Sequence, residues 1–113
     1  MTFDGDVSGP KRAEEAEMLG YSTEELRGLK AAREKLEGKV KRQILRRNPY
    51  GLTFREFTVL HFVAAGRSDK EIGIELAISP LTAQKHVSNI LAKMDASSRT
   101  AAAARALREG LLD

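Results

Sequence analysis

The stretch 52-LTFREFTVLHFVAAGRSDKEIGIELAISPLTAQKHVSNILAKMDASSRTAAAARALREGLL-112 decides the fold of this chain. Its apolar residues recur at steps of three and four, the spacing of one helix face, and no alternating run of Val, Ile and Thr indicates a strand. Polar and Gly-containing breaks divide it into four predicted helices, at about residues 54–65, 69–76, 80–94 and 99–109. Because a tight turn separates the middle two, they form a helix-turn-helix, a shape that enters the DNA major groove.

Hydroxyl side chains mark the starts of these helices. Thr53 and Ser68 are each followed by Glu three residues later, and Ser79 is followed by Pro. Such a hydroxyl accepts a hydrogen bond from a backbone N–H that the first helical turn leaves unpaired. At the opposite ends, Gly66 and Gly110 stand where left-handed C-terminal caps are expected.

The first half of the chain predicts one long helix. Ser22, with Glu three residues later, begins it, and the Asn-Pro-Tyr-Gly sequence at 48–51 ends it near Arg47. A short helix is expected before it, at about residues 11–19. We therefore expect a mobile tail, a helical extension for packing or dimerisation and a helix-turn-helix domain, at residues 1–10, 11–49 and 50–113. The apolar face of the long helix is expected to contain Leu26, Leu29, Ala32, Leu36, Val40 and Ile44.

Composition narrows the class of protein. The chain has 113 residues, no Cys and two isolated His, so it predicts no disulfide, thiolate metal site or metal cluster. No apolar run reaches membrane-spanning length, and no signal peptide precedes the first charged residues. No residues with the spacing of a catalytic site are present. We expect a cytoplasmic protein that is not an enzyme and needs no cofactor or metal.

The net charge of +3 is unevenly distributed. Residues 39–47 hold five bases and no acid, and no acid occurs from residue 76 to residue 94. A helix that faces DNA phosphates needs such an acid-free surface. The run at 39–47 is equally consistent with a solvated helix face, so both interpretations stay open.

The third predicted helix of the stretch separates polar from apolar residues. Its apolar stripe must face the core, so Gln84, Lys85 and Ser88 face outward. Gln pairs bidentately with adenine and Lys donates to guanine acceptors, which makes these residues candidate base readers. Ser79 and Thr82, near the start of the helix, suit a phosphate oxygen.

The spacing of the whole stretch also matches a known pattern. The matching positions are Leu52, Thr53, Arg55, Glu56, Val59, Leu60, Gly66, Lys70, Glu71, Ile72, Leu76, Ile78, Ser79, Thr82, His86, Asn89, Ile90, Lys93, Met94, Ser98, Arg99, Thr100, Gly110 and Leu111. They resemble the LuxR-type (NarL/FixJ) DNA-binding domain over slightly more than half of the chain. The expected fold is therefore all-α, a four-helix LuxR-type helix-turn-helix domain preceded by a long amphipathic helix.

The resemblance implies roles for individual residues. It assigns base reading to the same three positions after Thr82, and DNA-backbone contacts to Thr82, Lys70, Lys93 and the start of the last helix at Ser98 and Thr100.

The sequence departs from the usual family pattern in three places. Ala77 stands where the turn often has Gly, Ala83 where Val is common, and Gln84 where Lys is common. The missing Lys removes one phosphate or guanine donor.

The first domain helix has an unexpected second stripe. Phe54, Phe57 and His61 recur at steps of three and four, where the family pattern has Pro and polar residues. Two exposed Phe would form an apolar patch, and the long helix has an apolar face without a partner. We expect these two surfaces to meet, within one chain or across a dimer. The alternative is that the two Phe side chains are merely tolerated at the surface.

Two surfaces are candidates for a homodimer. The first is the long helix, through Leu29, Leu36 and Val40, although its fit to a coiled-coil repeat is imperfect. The second is the Ala-rich last helix, with Ala103 and Leu107, which the resemblance favours because family dimers pair through it.

Three functions remain in competition. The leading one is a transcription regulator that binds double-stranded DNA as a homodimer, without a receiver or ligand domain. A module resembling sigma-factor region 4 shares this helix-turn-helix chemistry and makes RNA polymerase a further candidate partner. An adaptor or anti-activator, which binds a partner protein through the long helix, is the third.

Overall fold

The computed structural model describes residues 20–112, and within them it is all-α, which confirms the predicted fold class. The helices are α1 (Thr23–Arg46), α2 (Phe54–Ala64), α3 (Asp69–Leu76), α4 (Pro80–Met94) and α5 (Arg99–Arg108). Each boundary lies within one or two residues of the predicted one. The mobile tail expected at 1–10 and the short helix expected at about 11–19 lie outside the described residues, and the division into three segments stays a prediction.

Local capping starts α1 where the sequence predicts. The Ser22 hydroxyl accepts a hydrogen bond from the Glu25 backbone N–H at 3.1 Å, and the Glu25 carboxylate accepts one from the Ser22 N–H at 2.8 Å. The helix then runs for 24 residues through two glycines without a break. At a rise of about 1.5 Å per residue, it is roughly 36 Å long.

Two parts of the domain hold α1 in place. Toward its N-terminal half, Arg33 donates from Nη1 to the Glu75 carbonyl oxygen of α3 at 3.3 Å. Toward its C-terminal end, Val40 and Gln43 are buried, and Gln43 Oε1 lies 2.8 Å from Nε2 of His61 in α2. The long helix is thus part of the folded unit and not a separate arm.

The prediction is wrong for one residue of the apolar face of α1. Ala32 is exposed, and the neighbouring Arg33 turns toward the domain instead. The reason is that α1 meets α3 and α2 at different points along its length, so a single apolar stripe does not describe its buried side.

The core is shared by all five helices. Phe57 and Leu60 of α2, Ile72 of α3, Ile90 of α4 and Val40 of α1 are each no more than 1% exposed. Burying an aliphatic or aromatic side chain of this size contributes about 1.5–3 kcal/mol. Phe57, predicted to lie in the unusual second stripe, is therefore in the centre of the core.

Polar contacts fix α5 to the rest of the domain. Arg99 donates from Nη1 to the Asp69 carboxylate at 2.6 Å and from Nη2 to the Arg67 carbonyl oxygen at 2.7 Å. Arg105 donates to the carbonyl oxygen of Met94, at the end of α4. These contacts set the orientation of α5 relative to the helix-turn-helix.

Candidate nucleic-acid interface

The turn between α3 and α4 is unusually close. The backbone N–H of Ile78 donates to the Gly73 carbonyl oxygen at 2.9 Å, and Ala77 takes the left-handed conformation with φ of 59°. A Cβ at Gly73 would lie 2.7 Å from the Ile78 carbonyl oxygen, which only a glycine avoids. The resemblance placed a Gly at the Ala77 turn, but the close approach that needs glycine is at Gly73, a residue that the sequence analysis did not single out.

The N-terminus of α4 is held by its cap. The Ser79 hydroxyl accepts a hydrogen bond from the Thr82 backbone N–H at 3.0 Å and lies 2.9 Å from Thr82 Oγ1, to which it donates. Pro80 occupies the first helical position, where its missing N–H costs nothing. Ser79 is partly buried and Thr82 is exposed.

The two sides of α4 differ as predicted. Ala83, Val87, Ile90 and Met94 are buried against the core. The candidate base readers Gln84, Lys85 and Ser88 are all exposed, together on the opposite side. An amide, an ammonium group and a hydroxyl are the groups that hydrogen-bond to base edges in the major groove.

A large apolar side chain shares this exposed side. Leu81 is 74% exposed, at the second position of α4. The sequence analysis gave Leu81 no role.

The predicted backbone contacts lie on three helices. Lys70 is exposed in the first turn of α3. Ser98 caps α5 by accepting a hydrogen bond from the Ala101 N–H at 3.1 Å, and Thr100 is exposed in the first turn of α5. The starts of α3, α4 and α5 therefore each present a residue predicted to meet a phosphate.

Lys93 differs from the other predicted phosphate contacts because it already has an internal partner. Its Nζ lies 2.7 Å from Oε1 of Glu56 and donates to the Gly51 carbonyl oxygen at 3.3 Å. Burial alone would raise the pKa of Glu56, but hydrogen bonds from Lys93 and from the Thr53 backbone hold it below its ordinary value. A phosphate would have to compete with this ion pair for Lys93.

His86 carries no charge to offer a phosphate. Its side chain is partly buried in α4, and its Nδ1 is buried without a hydrogen-bond partner. Burial, followed by the nearby Arg55 guanidinium, lowers the pKa of His86, so the imidazole is neutral at physiological pH. His86 is thus a partly packed residue of α4 in an environment that disfavours its charged form.

The predicted packing residues fall into two groups. Val40 and Phe57 are fully buried within the chain, and Leu36 and Phe54 pack against the core while partly exposed. Leu29 is partly exposed on α1. On α5, Ala103 is partly buried and Leu107 is 55% exposed.

The described residues contain neither a metal-binding group nor a membrane-spanning helix. No three or more His, Cys, Asp or Glu side chains are gathered between residues 20 and 112 where a metal ion could be held. No helix in that part of the chain is long and apolar enough to cross a membrane.

Comparison with known proteins places this domain. Residues 51–106 match the family described as bacterial regulatory proteins, luxR family. The transcriptional regulatory protein LiaR of Bacillus subtilis (strain 168) is 41% identical over 88 residues, which cover 70% of this chain and 42% of LiaR. The HTH-type quorum-sensing regulator RhlR of Pseudomonas aeruginosa is 44% identical over 69 residues, which cover 61% of this chain and 29% of RhlR.

A further relative has the same coverage pattern. The probable transcriptional regulatory protein NarL of Mycobacterium tuberculosis (strain ATCC 25618 / H37Rv) is 42% identical over 62 residues, 55% of this chain and 29% of that protein. The chain thus spans less than half the length of each of these relatives. With the matched range containing α2 to α4 and most of α5, residues 51–106 form a helix-turn-helix domain of the luxR family of bacterial regulatory proteins.

Proposed function

We propose that this chain binds duplex DNA sequence-selectively through the exposed side of α4 and thereby regulates transcription. One observation carries the proposal: α4 contains no acid, buries one side completely and presents Gln84, Lys85 and Ser88 on the other. Membership of residues 51–106 in a family of regulatory proteins supports it.

The proposed base readers divide the recognition between them. Gln84 is suited to adenine, Lys85 to the O6 and N7 acceptors of guanine, and Ser88 to either kind of edge. Four residues of helix rise by about 6 Å, which is close to two base pairs at roughly 3.4 Å each. Each domain therefore reads a short segment, and a longer site needs more than one domain.

Phosphate contacts would set the position of the helix in the groove. Since Ser79 donates its hydroxyl proton to Thr82, the Thr82 proton is available to a phosphate oxygen. Lys70 and the capped start of α5 at Ser98 and Thr100 supply further contacts, and Lys93 supplies one only if it leaves Glu56.

Three single substitutions test this division of roles. Lys85→Ala should lower the affinity for a specific duplex by about 1–3 kcal/mol and affect a scrambled duplex much less. Thr82→Ala should weaken binding to both duplexes about equally, because a phosphate contact carries no sequence information. Lys30→Ala, which removes an exposed Lys from the N-terminal half of α1, is the control for charge alone and should leave the specificity ratio unchanged.

Titrations by fluorescence anisotropy on the two duplexes would measure these effects. Equal losses on both duplexes for Lys85→Ala would remove Lys85 from the base readers. Repeating the titration at several salt concentrations should give a log–log slope near 0.9 per neutralised phosphate. An affinity that does not respond to salt would instead favour a protein partner.

We infer that the DNA-bound form is a homodimer paired through α5. Val40 and Phe57 are covered within one chain, so they have no surface to offer a second copy. Leu107 is 55% exposed beside the small residue Ala103, which lets another helix approach closely. Leu107→Glu should shift the chain toward monomer in sedimentation experiments and weaken binding to a duplex with two half-sites. An unchanged association state would contradict an interface through α5.

A second candidate function is an adaptor that binds a protein through α1. Leu45 favours it, because this side chain is 87% exposed beside Ile44 and the basic Lys41. RNA polymerase is one such partner to test. Leu45→Glu should abolish its binding in a sedimentation assay if this function is correct, and should have no effect on DNA titrations if the leading proposal is correct.

A further inference from the structure

Leu81 is the one large apolar side chain exposed on α4, and its setting points to a specific ligand. Its side chain is 74% exposed, whereas the apolar residues of α4 that face the domain are buried or partly buried. The other exposed large apolar residues of the described chain are Leu45 on α1 and Leu107 on α5.

Helix geometry places Leu81 with the proposed base readers. Side chains three, four and seven residues apart lie along one helix face, so Leu81 aligns with Gln84, Lys85 and Ser88. Leu81 lies nearest the N-terminus of α4, one turn before Lys85. A base pair that it meets must therefore adjoin those reached by Gln84 and Lys85.

The start of α4 is fixed firmly enough for Leu81 to be selective. Two hydrogen bonds join Ser79 and Thr82, which lie on either side of Leu81 in the sequence. The preceding turn is held by the 2.9 Å hydrogen bond from Ile78 to Gly73. A side chain on such a turn keeps its position when the helix docks, as selective contact requires.

The surroundings of Leu81 decide between classes of ligand. A surface that binds a protein through Leu81 would present further apolar side chains around it. The exposed neighbours of Leu81 on this face are instead polar: Thr82, Gln84, Lys85 and Ser88. A single apolar group within a polar, acid-free face is instead complementary to the major-groove edge of DNA. There, polar groups predominate, and the C5-methyl of thymine is the apolar group.

We propose that Leu81 contacts the C5-methyl group of a thymine, and that this chain therefore prefers a T·A pair at the position next to those read by Gln84 and Lys85. The inference rests on the proposed DNA binding and adds to it a named base. It assigns Leu81 a specificity role that the polar readers cannot fill, because hydrogen-bonding groups gain nothing from a methyl.

Replacing thymine with deoxyuridine tests this contact directly. The exchange removes the methyl and leaves base pairing unchanged. The probe is a duplex selected by the wild-type chain from random sequences, in which each thymine is replaced in turn. For one thymine in each half-site, the wild-type Kd should rise by roughly fourfold, the value of one buried methyl-sized group. Leu81→Ala should bind both forms of the duplex with equal affinity.

Two further variants separate the contact from general effects. Leu81→Met keeps an apolar side chain and should retain part of the sensitivity to the methyl. Leu45→Ala, which shortens an equally exposed Leu on α1, should retain all of it. Since Leu81 is exposed, thermal melts of its variants should match the wild type.

The possible results distinguish this inference from the proposed function. Selective binding that no thymine-to-deoxyuridine exchange weakens would overturn the role of Leu81 and leave DNA binding intact. The same conclusion follows if Leu81→Ala loses as much affinity as the wild type at every exchanged thymine, or if the selected half-site contains no thymine. Failure to select any duplex sequence would overturn both proposals.

Discussion

Gly73→Ala is the substitution whose outcome the structure specifies most closely. The added Cβ would stand 2.7 Å from the carbonyl oxygen of Ile78 and 3.3 Å from the backbone nitrogen of Pro80. Both atoms belong to the backbone of the turn that leads into α4, so no side-chain rotation relieves the clash. The turn itself must move, and α4 moves with it.

Two opposing terms set the size of the effect. Forcing extra volume into a packed site costs about 1–3 kcal/mol. Replacing a helical Gly with Ala returns about 1 kcal/mol through helix propensity. We therefore expect Gly73→Ala to lower the free energy of unfolding by up to about 2 kcal/mol, and the melting temperature by up to roughly 10 °C.

Gly28→Ala is the matched control for this experiment. The exchange is the same and the residue is also helical, but nothing lies within 4 Å of the added Cβ. It should stabilise the chain by about 0.5–1 kcal/mol. Thermal and urea unfolding of the two variants should therefore give shifts of opposite sign. A Gly73→Ala variant that is stabilised as much as Gly28→Ala would refute the argument that the turn needs glycine.

Three further predictions concern pH and the long helix. The pKa of Glu56 is lowered in the folded state, so its stabilising effect is complete above its ordinary pKa and is lost as pH falls through the folded pKa. Glu56→Gln should therefore destabilise the chain more at neutral than at acidic pH, which thermal melts would measure. Burial raises the pKa of Glu75, despite the opposing charge of Arg67, so its contribution is lost as pH rises through that raised value. Glu75→Gln should thus stabilise at neutral pH and have little effect in acid, and identical pH profiles for the two variants would contradict the assignment. Removing residues 1–48 should expose Phe57, lower the melting temperature and promote association in sedimentation experiments; a truncated chain as stable as the full one would show that α1 contributes little to the core.

Features that depend only on a few neighbouring residues were predictable from the sequence. The capping boxes at Ser22, Thr53 and Ser68 form with the predicted partners, because each depends only on residues three apart. Gly66 and Gly110 take positive φ at the helix ends for the same local reason.

Features that depend on distant contacts were not predictable. Ala77 and Asp95 also escaped prediction, since they take positive φ at the ends of α3 and α4 although neither is glycine, the residue that usually marks such an end. Gln43, a polar interruption in the long helix, is buried beside His61, a partner that lies in another helix. The pairing of Lys93 with Glu56 likewise joins residues far apart in sequence.

The candidate interface lies between these two cases. Helical periodicity predicted the outward side of α4, and Gln84, Lys85 and Ser88 are exposed there. Gly73 was missed because its closeness to Ile78 exists only in the folded turn. The contribution of each residue to base reading remains a prediction, since exposure permits a contact without specifying its strength.

Selection of bound sequences from random duplex DNA tests the central claim most directly. The wild-type chain should enrich an inverted repeat whose half-sites are centred about 10 base pairs apart, one turn of DNA, as a homodimer with two α4 helices requires. In a parallel selection, Lys85→Ala should lose the preference at one position of each half-site while Lys30→Ala keeps it. A wild-type chain that enriches no sequence, or a Lys85→Ala variant that enriches the same sequence equally well, would contradict sequence reading through α4.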